Sequence, residues 1–137
     1  AFFDKERDVQ LRAAELGALE AVHRVARRAY AERSGETVSL ACSALCGLTF
    51  SCAENGAKYA QVAEADPLLL ELCSSSDAEA RGPARELLVG LFELPGARPA
   101  LMRMGSLSCL DEIAAGGDSG DALTARAKLA LQDVRHR

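Results

Sequence analysis

The chain has 137 residues, 49% of them apolar and 26% charged, and its net charge at pH 7 is −4. The length suits a single soluble domain over residues 1–137, and the acidic balance argues against a general nucleic-acid binder, which needs a basic surface to displace counterions. No apolar run approaches the roughly 20 residues that a membrane-spanning helix requires. Because aromatics make up only 4% and Trp is absent, we expect closely packed helices around an aliphatic core.

Apolar residues at helical spacing alternate with turn residues along the whole chain and predict an all-α fold. Asp4 is the expected N-cap of the first helix, and Gly17 separates that helix from the second. Ser34-Gly35 is expected to end the second helix, because Gly is favoured just past a helix end. The predicted helices span residues 5–14, 18–33, 36–51, 55–63, 67–73, 84–94, 99–104, 106–115 and 121–134.

Two prolines mark the starts of later helices. Asp66 is expected to cap a helix that begins at Pro67, since proline suits the first helical position. Pro83 lies near the start of the sixth helix, which either begins at Gly82 or is kinked in its first turn. The prolines therefore indicate roughly where these two predicted helices start.

Four apolar positions recur twice along the chain, each time after 43 residues. They lie at offsets of 0, 3, 4 and 7 residues, which is the spacing of one helix face. The recurring sets are Ala41, Ala84 and Ala127; Ala44, Leu87 and Ala130; Leu45, Leu88 and Leu131; and Leu48, Leu91 and Val134. Gly47 recurs in the same register as Gly90. A period in the low forties carried by helices is typical of a solenoid of stacked helical repeats.

At these residues the chain resembles the armadillo-repeat family, with HEAT-type repeats as the nearest alternative. Residues 44–48, Ala-Leu-Cys-Gly-Leu, resemble the family's Ala-Leu-x-Asn-Leu pattern in the third helix of a repeat, and residues 77–81 resemble its turn into that helix. The resemblance covers about residues 8–135 and implies a right-handed α-solenoid of about three armadillo-type three-helix repeats, at about 8–52, 53–94 and 95–135. It also implies a protein-interaction scaffold whose third helices line a concave groove.

The resemblance also points to the residues that would meet a partner. Family members that hold extended peptides use a Trp and an Asn, one turn apart, on successive third helices. The matching Trp positions here are Ser43, Glu86 and Leu129, and the matching Asn positions are Gly47, Gly90 and Asp133. We expect these six positions to bind a partner. Since neither Trp nor Asn occupies them, binding of nuclear-import cargo in the family's usual way is not expected.

Gly47 and Gly90 need an explanation, because a glycine inside a helix costs about 0.5–1 kcal/mol relative to alanine. One explanation is that a partner approaches the bare backbone at both positions. The other is that a neighbouring helix of the same chain crosses there. The sequence leaves both open.

The residues that could do chemistry are few. Structural zinc takes four converging ligands, and neither His23 nor His136 lies at ligand spacing from a cysteine, so we expect no metal and no cofactor. Phosphate-binding loops and Gly-x-Ser-x-Gly elbows are absent from the sequence, and we expect no enzyme. The five cysteines are expected to be buried free thiols in a reducing compartment, with an oxidised pair left open: Cys42, Cys46, Cys52, Cys73 and Cys109.

A basic cluster of Arg24, Arg27 and Arg28 lies on one face of the second predicted helix. It is a candidate contact patch for an acidic partner. The alternative is a solvated helix face whose charge Glu20 and Glu32 compensate.

The sequence therefore predicts a non-catalytic protein–protein interaction module whose partner it does not identify. A permanently bound subunit of a larger assembly is the first alternative, and a chaperone cofactor of the small armadillo-like type is the second. The chain begins with Ala1 rather than Met, so we expect that it was either processed or cut from a longer chain. We expect an intracellular, reducing location, cytoplasmic by default, with an organelle left open.

Overall fold

The computed structural model describes residues 2–116 and 120–136, with side chains from residue 5 onward. Across these residues the fold is all-α, as predicted, with nine α-helices, one 3-10 turn and no strand. The helices are α1 (Phe2–Glu15), α2 (Ala18–Ala31), α3 (Gly35–Thr49), α4 (Ala53–Ala65), α5 (Leu68–Cys73), α6 (Ala78–Phe92), α7 (Arg98–Arg103), α8 (Leu107–Ala114) and α9 (Asp121–Arg135), and the 3-10 turn is Pro95–Ala97.

The helices pack in a recurring order. The helices α3, α6 and α9, which we call the third helices, contact one another in sequence, α3 against α6 and α6 against α9. Each third helix also packs against the helix before it in its own unit, α2, α5 or α8, while α4 contacts both α1 and α7. The third helices carry the positions that recur every 43 residues, and most of those side chains lie in one hydrophobic core. Ala44 is exposed, since α3 is the first third helix and no earlier one covers it.

Two predicted helix starts are wrong. Helix α1 begins at Phe2, so Asp4 lies inside the helix instead of capping it. Helix α6 begins at Ala78 and carries Pro83 in its interior. The cause is Asp77, whose Oδ1 accepts a hydrogen bond of 3.0 Å from the Glu79 N–H and caps the helix six residues before the predicted start.

The end of α2 also differs from the prediction. Gly35 does not close α2 but begins α3, where the Asp77 side chain lies against it. The residue that turns the chain is Arg33, which has a left-handed φ of 58°, while the Ser34 N–H donates to the Ala29 carbonyl at 2.8 Å. Ser51, just after α3, is also left-handed, with φ of 50°. Both turns thus use a non-glycine residue where glycine is favoured.

Replacing these residues by glycine is expected to stabilise the protein. A left-handed conformation costs a non-glycine residue about 1–2 kcal/mol, and glycine's greater freedom in the unfolded chain offsets part of the gain. We expect Arg33→Gly and Ser51→Gly each to raise the free energy of unfolding by about 0.5–1 kcal/mol, measured by urea titration. The control is Arg24→Gly inside α2, which should lower it by about 1 kcal/mol. Equal effects of Arg33→Gly and Arg24→Gly would contradict the prediction.

Two amide side chains join α1, α3 and α4 where α3 ends. Nε2 of Gln10 donates to the carbonyls of Gly47 and Phe50, each at 2.9 Å. Nδ2 of Asn55, a residue with no exposed surface, donates to the carbonyls of Gln10 and Leu48, each at 2.9 Å. The last carbonyls of a helix have no partner within it, so these bonds satisfy the end of α3 and fix its position.

Candidate interaction surface

A groove runs along the third helices, between the end of α3, the second half of α6 and the first half of α9. We call it the α3–α6–α9 groove, and its volume is about 470 Å³. Its lining is mostly apolar, with charged side chains contributed by α6, α9 and the turn after α6. The lining residues are Cys46, Thr49, Phe50, Ser51, Glu86, Leu87, Gly90, Glu93, Leu94 and Arg126.

The charges of the groove are unevenly paired. Nε of Arg126 donates to Oε2 of Glu93 at 3.1 Å, and this contact raises the pKa of Arg126. Glu86 is exposed, and no cation within the described residues makes an ion pair with it. Burial first, and then the nearby Glu86 carboxylate, raise the pKa of the Cys46 thiol to about 11. Because Arg126 also interacts electrostatically with Glu86, the groove carries a partly compensated carboxylate without an ion-pair partner, beside a protonated thiol.

A second concavity, the α1–α3 depression, adjoins the groove at Phe50. It is lined by Lys5, Glu6, Val9, Gln10, Gly47 and Phe50. Val9 and Phe50 are 70% and 73% exposed, which is high for large apolar side chains. The end of α3 thus presents apolar surface on both sides of Phe50.

The structure distributes the six predicted contact positions over different surroundings. Glu86 and Gly90 line the α3–α6–α9 groove, and Gly47 lines the α1–α3 depression. Ser43 and Leu129 are exposed but line neither concavity. Oδ2 of Asp133 accepts a hydrogen bond of 2.6 Å from the Arg98 guanidinium. Asp133 is thus engaged within the chain.

The helix-crossing explanation for the two glycines is wrong. A Cβ placed on Gly47 would meet no heavy atom of the described residues within 4 Å, its own helix backbone and chain neighbours apart. At Gly90 the nearest atom would be a guanidinium nitrogen of Arg126 at 3.9 Å, an ordinary contact with a movable side chain. No neighbouring helix therefore requires glycine at either position.

Alanine at these positions should consequently stabilise the fold. Gly47→Ala and Gly90→Ala are each expected to raise the free energy of unfolding by about 0.5–1 kcal/mol, because a methyl group fits and glycine is a poor helix former. Thermal and urea unfolding measure the change. The control is Gly56→Ala, which should destabilise, since its new methyl would collide with the Leu94 side chain. Loss of stability in Gly47→Ala or Gly90→Ala would contradict the open geometry.

Sequence reasoning missed much of this surface, including Phe50, Glu93 and Arg126. Phe50 and Glu93 are separated by the repeat period of 43 residues and lie three residues beyond Gly47 and Gly90. Extending the repeat by one helical turn would have identified both. Arg126 carries no such signal, because Leu40 and Pro83 occupy its equivalent positions in the other units.

The basic cluster on α2 is largely engaged within the chain. The Arg27 guanidinium donates to both carboxylate oxygens of Asp66, with Nε at 3.2 Å from Oδ2, and to Glu71 at 2.7 Å. Arg28 donates to Glu32, four residues further along the chain, at 3.0 Å. This pair fits the alternative of a helix face whose charge is compensated. Arg24 is exposed. Most of the positive charge of this face is therefore neutralised.

His23 is a buried connector between helices. Its Nδ1 lies 2.9 Å from the Tyr59 hydroxyl, and its Nε2 lies 2.8 Å from Oδ2 of Asp66. Asp66 was predicted to cap α5, but its side chain makes no cap bond. It binds Arg27 and His23 instead, and the Arg27 guanidinium offers its two carboxylate oxygens a bidentate ion pair that a single helix N–H cannot match.

Asp66 links stability to pH. The hydrogen bonds from Arg27 first, and then from His23, hold the pKa of Asp66 below its usual range. A group whose pKa is lowered by folding stabilises the protein above its unfolded pKa, about 3.9, and loses that contribution as the pH falls through the folded pKa. We expect Asp66→Asn to lower the free energy of unfolding near neutral pH by about 1 kcal/mol or less, since the side chain is 40% exposed and water screens the pair.

Urea unfolding of the wild type and of Asp66→Asn between about pH 7 and pH 2 tests this link. The difference between the two proteins should shrink as the pH falls. Arg27→Gln is the control, because it removes the largest cause of the lowered pKa and should lose the same acid-dependent part. A difference that is constant with pH would overturn the assignment.

The cysteines behave as core residues. All five are free, and four of them are buried while Cys46 is half-buried. Burial raises the pKa of Cys42 to about 12, so this thiol stays protonated near neutral pH. Within residues 2–116 and 120–136, no group of three or more His, Cys, Asp or Glu residues lies close enough together to hold a metal ion.

Comparisons with known proteins give no relative: no protein-family model matches the chain, and neither a curated protein nor a solved structure is significantly similar to it. None of the described helices combines the length and the apolar character needed to cross a membrane. Interpretation of the surface therefore depends on its own residues and geometry.

Proposed function

We propose that this chain is a non-catalytic protein–protein interaction module, a right-handed solenoid of three armadillo-type repeats that binds partners through its third helices. The stepwise contacts of α3, α6 and α9 support three stacked units, as does the recurrence of their core positions. The observation that carries the binding role is the open space at Gly47 and Gly90. Two helix-weakening glycines occupy the same position in successive third helices, and nothing within the described residues packs tightly enough against either to require glycine, which favours a partner that approaches there.

The test compares three forms of the full chain. Tagged wild type, Gly47→Leu/Gly90→Leu and Gln61→Leu are used to purify partners from the native source, with quantitative mass spectrometry as the readout. Gln61→Leu is the matched control, since it adds an equally apolar side chain at an exposed position of α4, outside the groove. Loss of partners only in the double variant, with melting unchanged or raised, supports the proposal. Equal recovery by all three forms overturns it.

A second function within the same class has its own support. Val9, Leu16, Leu40 and Phe50 are all more than half exposed, and Val9 and Phe50 line the same depression; such exposed apolar surface favours a face that is covered permanently. On this reading the chain is a fixed subunit of a larger assembly. Size-exclusion chromatography with light scattering separates the two: a soluble, folded monomer favours a reversible adaptor, and association of the isolated chain favours the fixed subunit.

A further inference from the structure

We infer that the α3–α6–α9 groove takes an amphipathic α-helix of a protein partner, which places a lysine or arginine beside Glu86. The inference rests on the proposed function and specifies the form and charge of the segment that binds. Three features of the groove support it: no Asn or Gln side chain lines it, Gly90 leaves room beside the helix backbone, and the Glu86 carboxylate has no ion-pair partner within the described residues.

The polar groups of the groove do not suit an extended peptide. An extended segment exposes a backbone N–H and C=O at every residue, and these need hydrogen-bond partners when they are buried. No Asn or Gln lines the groove. The Thr49 hydroxyl already donates to the Leu45 carbonyl at 2.8 Å, while Glu93 and Arg126 bind each other. Few donors and acceptors thus remain to hold a peptide backbone.

A helix avoids this requirement. Its backbone groups are satisfied within the segment, so it needs from the groove only an apolar surface and room to approach. Phe50, Leu87 and Leu94 supply apolar lining. Gly90 supplies room, because the only atom near its missing Cβ is the Arg126 guanidinium at 3.9 Å, at the end of a flexible side chain. Two helices cross with their axes about 8–10 Å apart, and small residues at the contact allow the lower end of that range.

The charge of the groove determines which charged residue the partner helix carries beside it. Arg126 and Glu93 form an ion pair, and Arg126 acts on Glu86 only through space, so the exposed Glu86 carboxylate has no ion-pair partner within the described residues. An acidic residue placed there would be repelled, whereas a lysine or arginine would complete an ion pair at the rim. The partner helix is therefore apolar on the face over Gly90 and basic at the position over Glu86.

Two display libraries test the form of the partner with the purified full chain. The first encodes amphipathic helices with leucine at helical spacing and a randomised charge position. The second carries the same residues with prolines inserted so that each peptide stays extended. Peptides enriched by the wild type are synthesised. Circular dichroism first verifies that each protein variant is folded. Fluorescence anisotropy then measures the affinity of each peptide for wild type, Gly90→Leu, Glu86→Lys and the Gln61→Leu control.

We expect enrichment from the helical library, with lysine or arginine at the charge position. Affinity should fall at least about tenfold in Gly90→Leu and stay unchanged in Gln61→Leu. Glu86→Lys should weaken basic peptides and strengthen acidic ones. Glu20→Lys, an exposed charge reversal on α2, should change neither preference.

The other outcomes are distinguishable. If peptides from the proline library bind and are lost in Gly90→Leu, the helical inference is overturned while the proposed function stands. If helical peptides bind without a charge preference, the assignment of Glu86 is overturned. If no peptide from either library binds in a way that depends on Gly90, both the inference and the proposed function fail.

Discussion

Asn55→Ala is expected to be among the most destabilising single substitutions in the chain. The side chain has no exposed surface, and its Nδ2 donates to the carbonyls of Gln10 and Leu48, each at 2.9 Å. Alanine removes both hydrogen bonds, leaves the Leu48 carbonyl at the end of α3 without a donor and opens a cavity; an unsatisfied buried acceptor alone costs about 1–3 kcal/mol. We expect the free energy of unfolding to fall by about 2–4 kcal/mol, which is a large part of the stability of a small domain.

Asn55→Asp should be worse than Asn55→Ala. Aspartate has nearly the same shape, but its carboxylate would face two carbonyl oxygens as a buried, unpaired charge. The order of stability is therefore expected to be wild type, then Asn55→Ala, then Asn55→Asp, measured by urea unfolding. The matched control is Gln61→Ala, which removes an exposed amide from the same helix and should change stability by less than about 0.5 kcal/mol. An Asn55→Asp protein as stable as the alanine variant would show that water reaches the site.

Asn55 also marks the limit of what sequence reasoning supplied. The predicted helices correspond closely to the observed ones, because helix periodicity and turn residues such as Gly17 and Gly105 act within a few residues of chain. The bonds of Asn55 and Gln10 join residues up to 45 apart, and no local pattern signals them. A buried asparagine in an ordinary helical stretch was therefore interpreted only as part of α4.

Two of the wrong predictions have a common physical cause. Local rules assigned Asp66 to a helix cap, but Arg27 and His23 reach it from α2 and offer stronger hydrogen bonds. Conversely, Asp77 caps α6 although the apolar pattern begins later, and the helix accepts Pro83 in its interior. In each case the outcome depends on which partner a carboxylate can reach in the folded chain.

The candidate surface was predictable only in part, because packing in the folded chain decides which of its positions are open. The resemblance to armadillo repeats, carried along the 43-residue register, pointed to Gly47, Glu86 and Gly90. Whether each position is open or engaged depends on packing. Asp133, which shares the register of Gly90, is held by Arg98 from α7.

The buried pair of His23 and Tyr59 should show strong coupling. The Tyr59 hydroxyl lies 2.9 Å from Nδ1 of His23, and both residues are buried. His23→Leu leaves the hydroxyl without its partner, and Tyr59→Phe leaves the imidazole nitrogen without one, so each single change is expected to cost about 1–3 kcal/mol. The double variant removes both polar groups together and should cost about 1–2 kcal/mol less than the sum of the single changes.

Urea unfolding of the four proteins of this double-mutant cycle measures the coupling. The control cycle pairs His23→Leu with Tyr30→Phe, which alters the other tyrosine of the chain, a half-buried residue on α2. That cycle should be additive within about 0.5 kcal/mol, since the described hydrogen bonds of His23 go to Tyr59 and Asp66. Additivity in the Tyr59 cycle would contradict the hydrogen bond and assign the role of His23 to its contact with Asp66. Strong coupling would instead make this pair a main polar link between α2 and α4, because it would show that the buried groups stabilise the fold only when both are present.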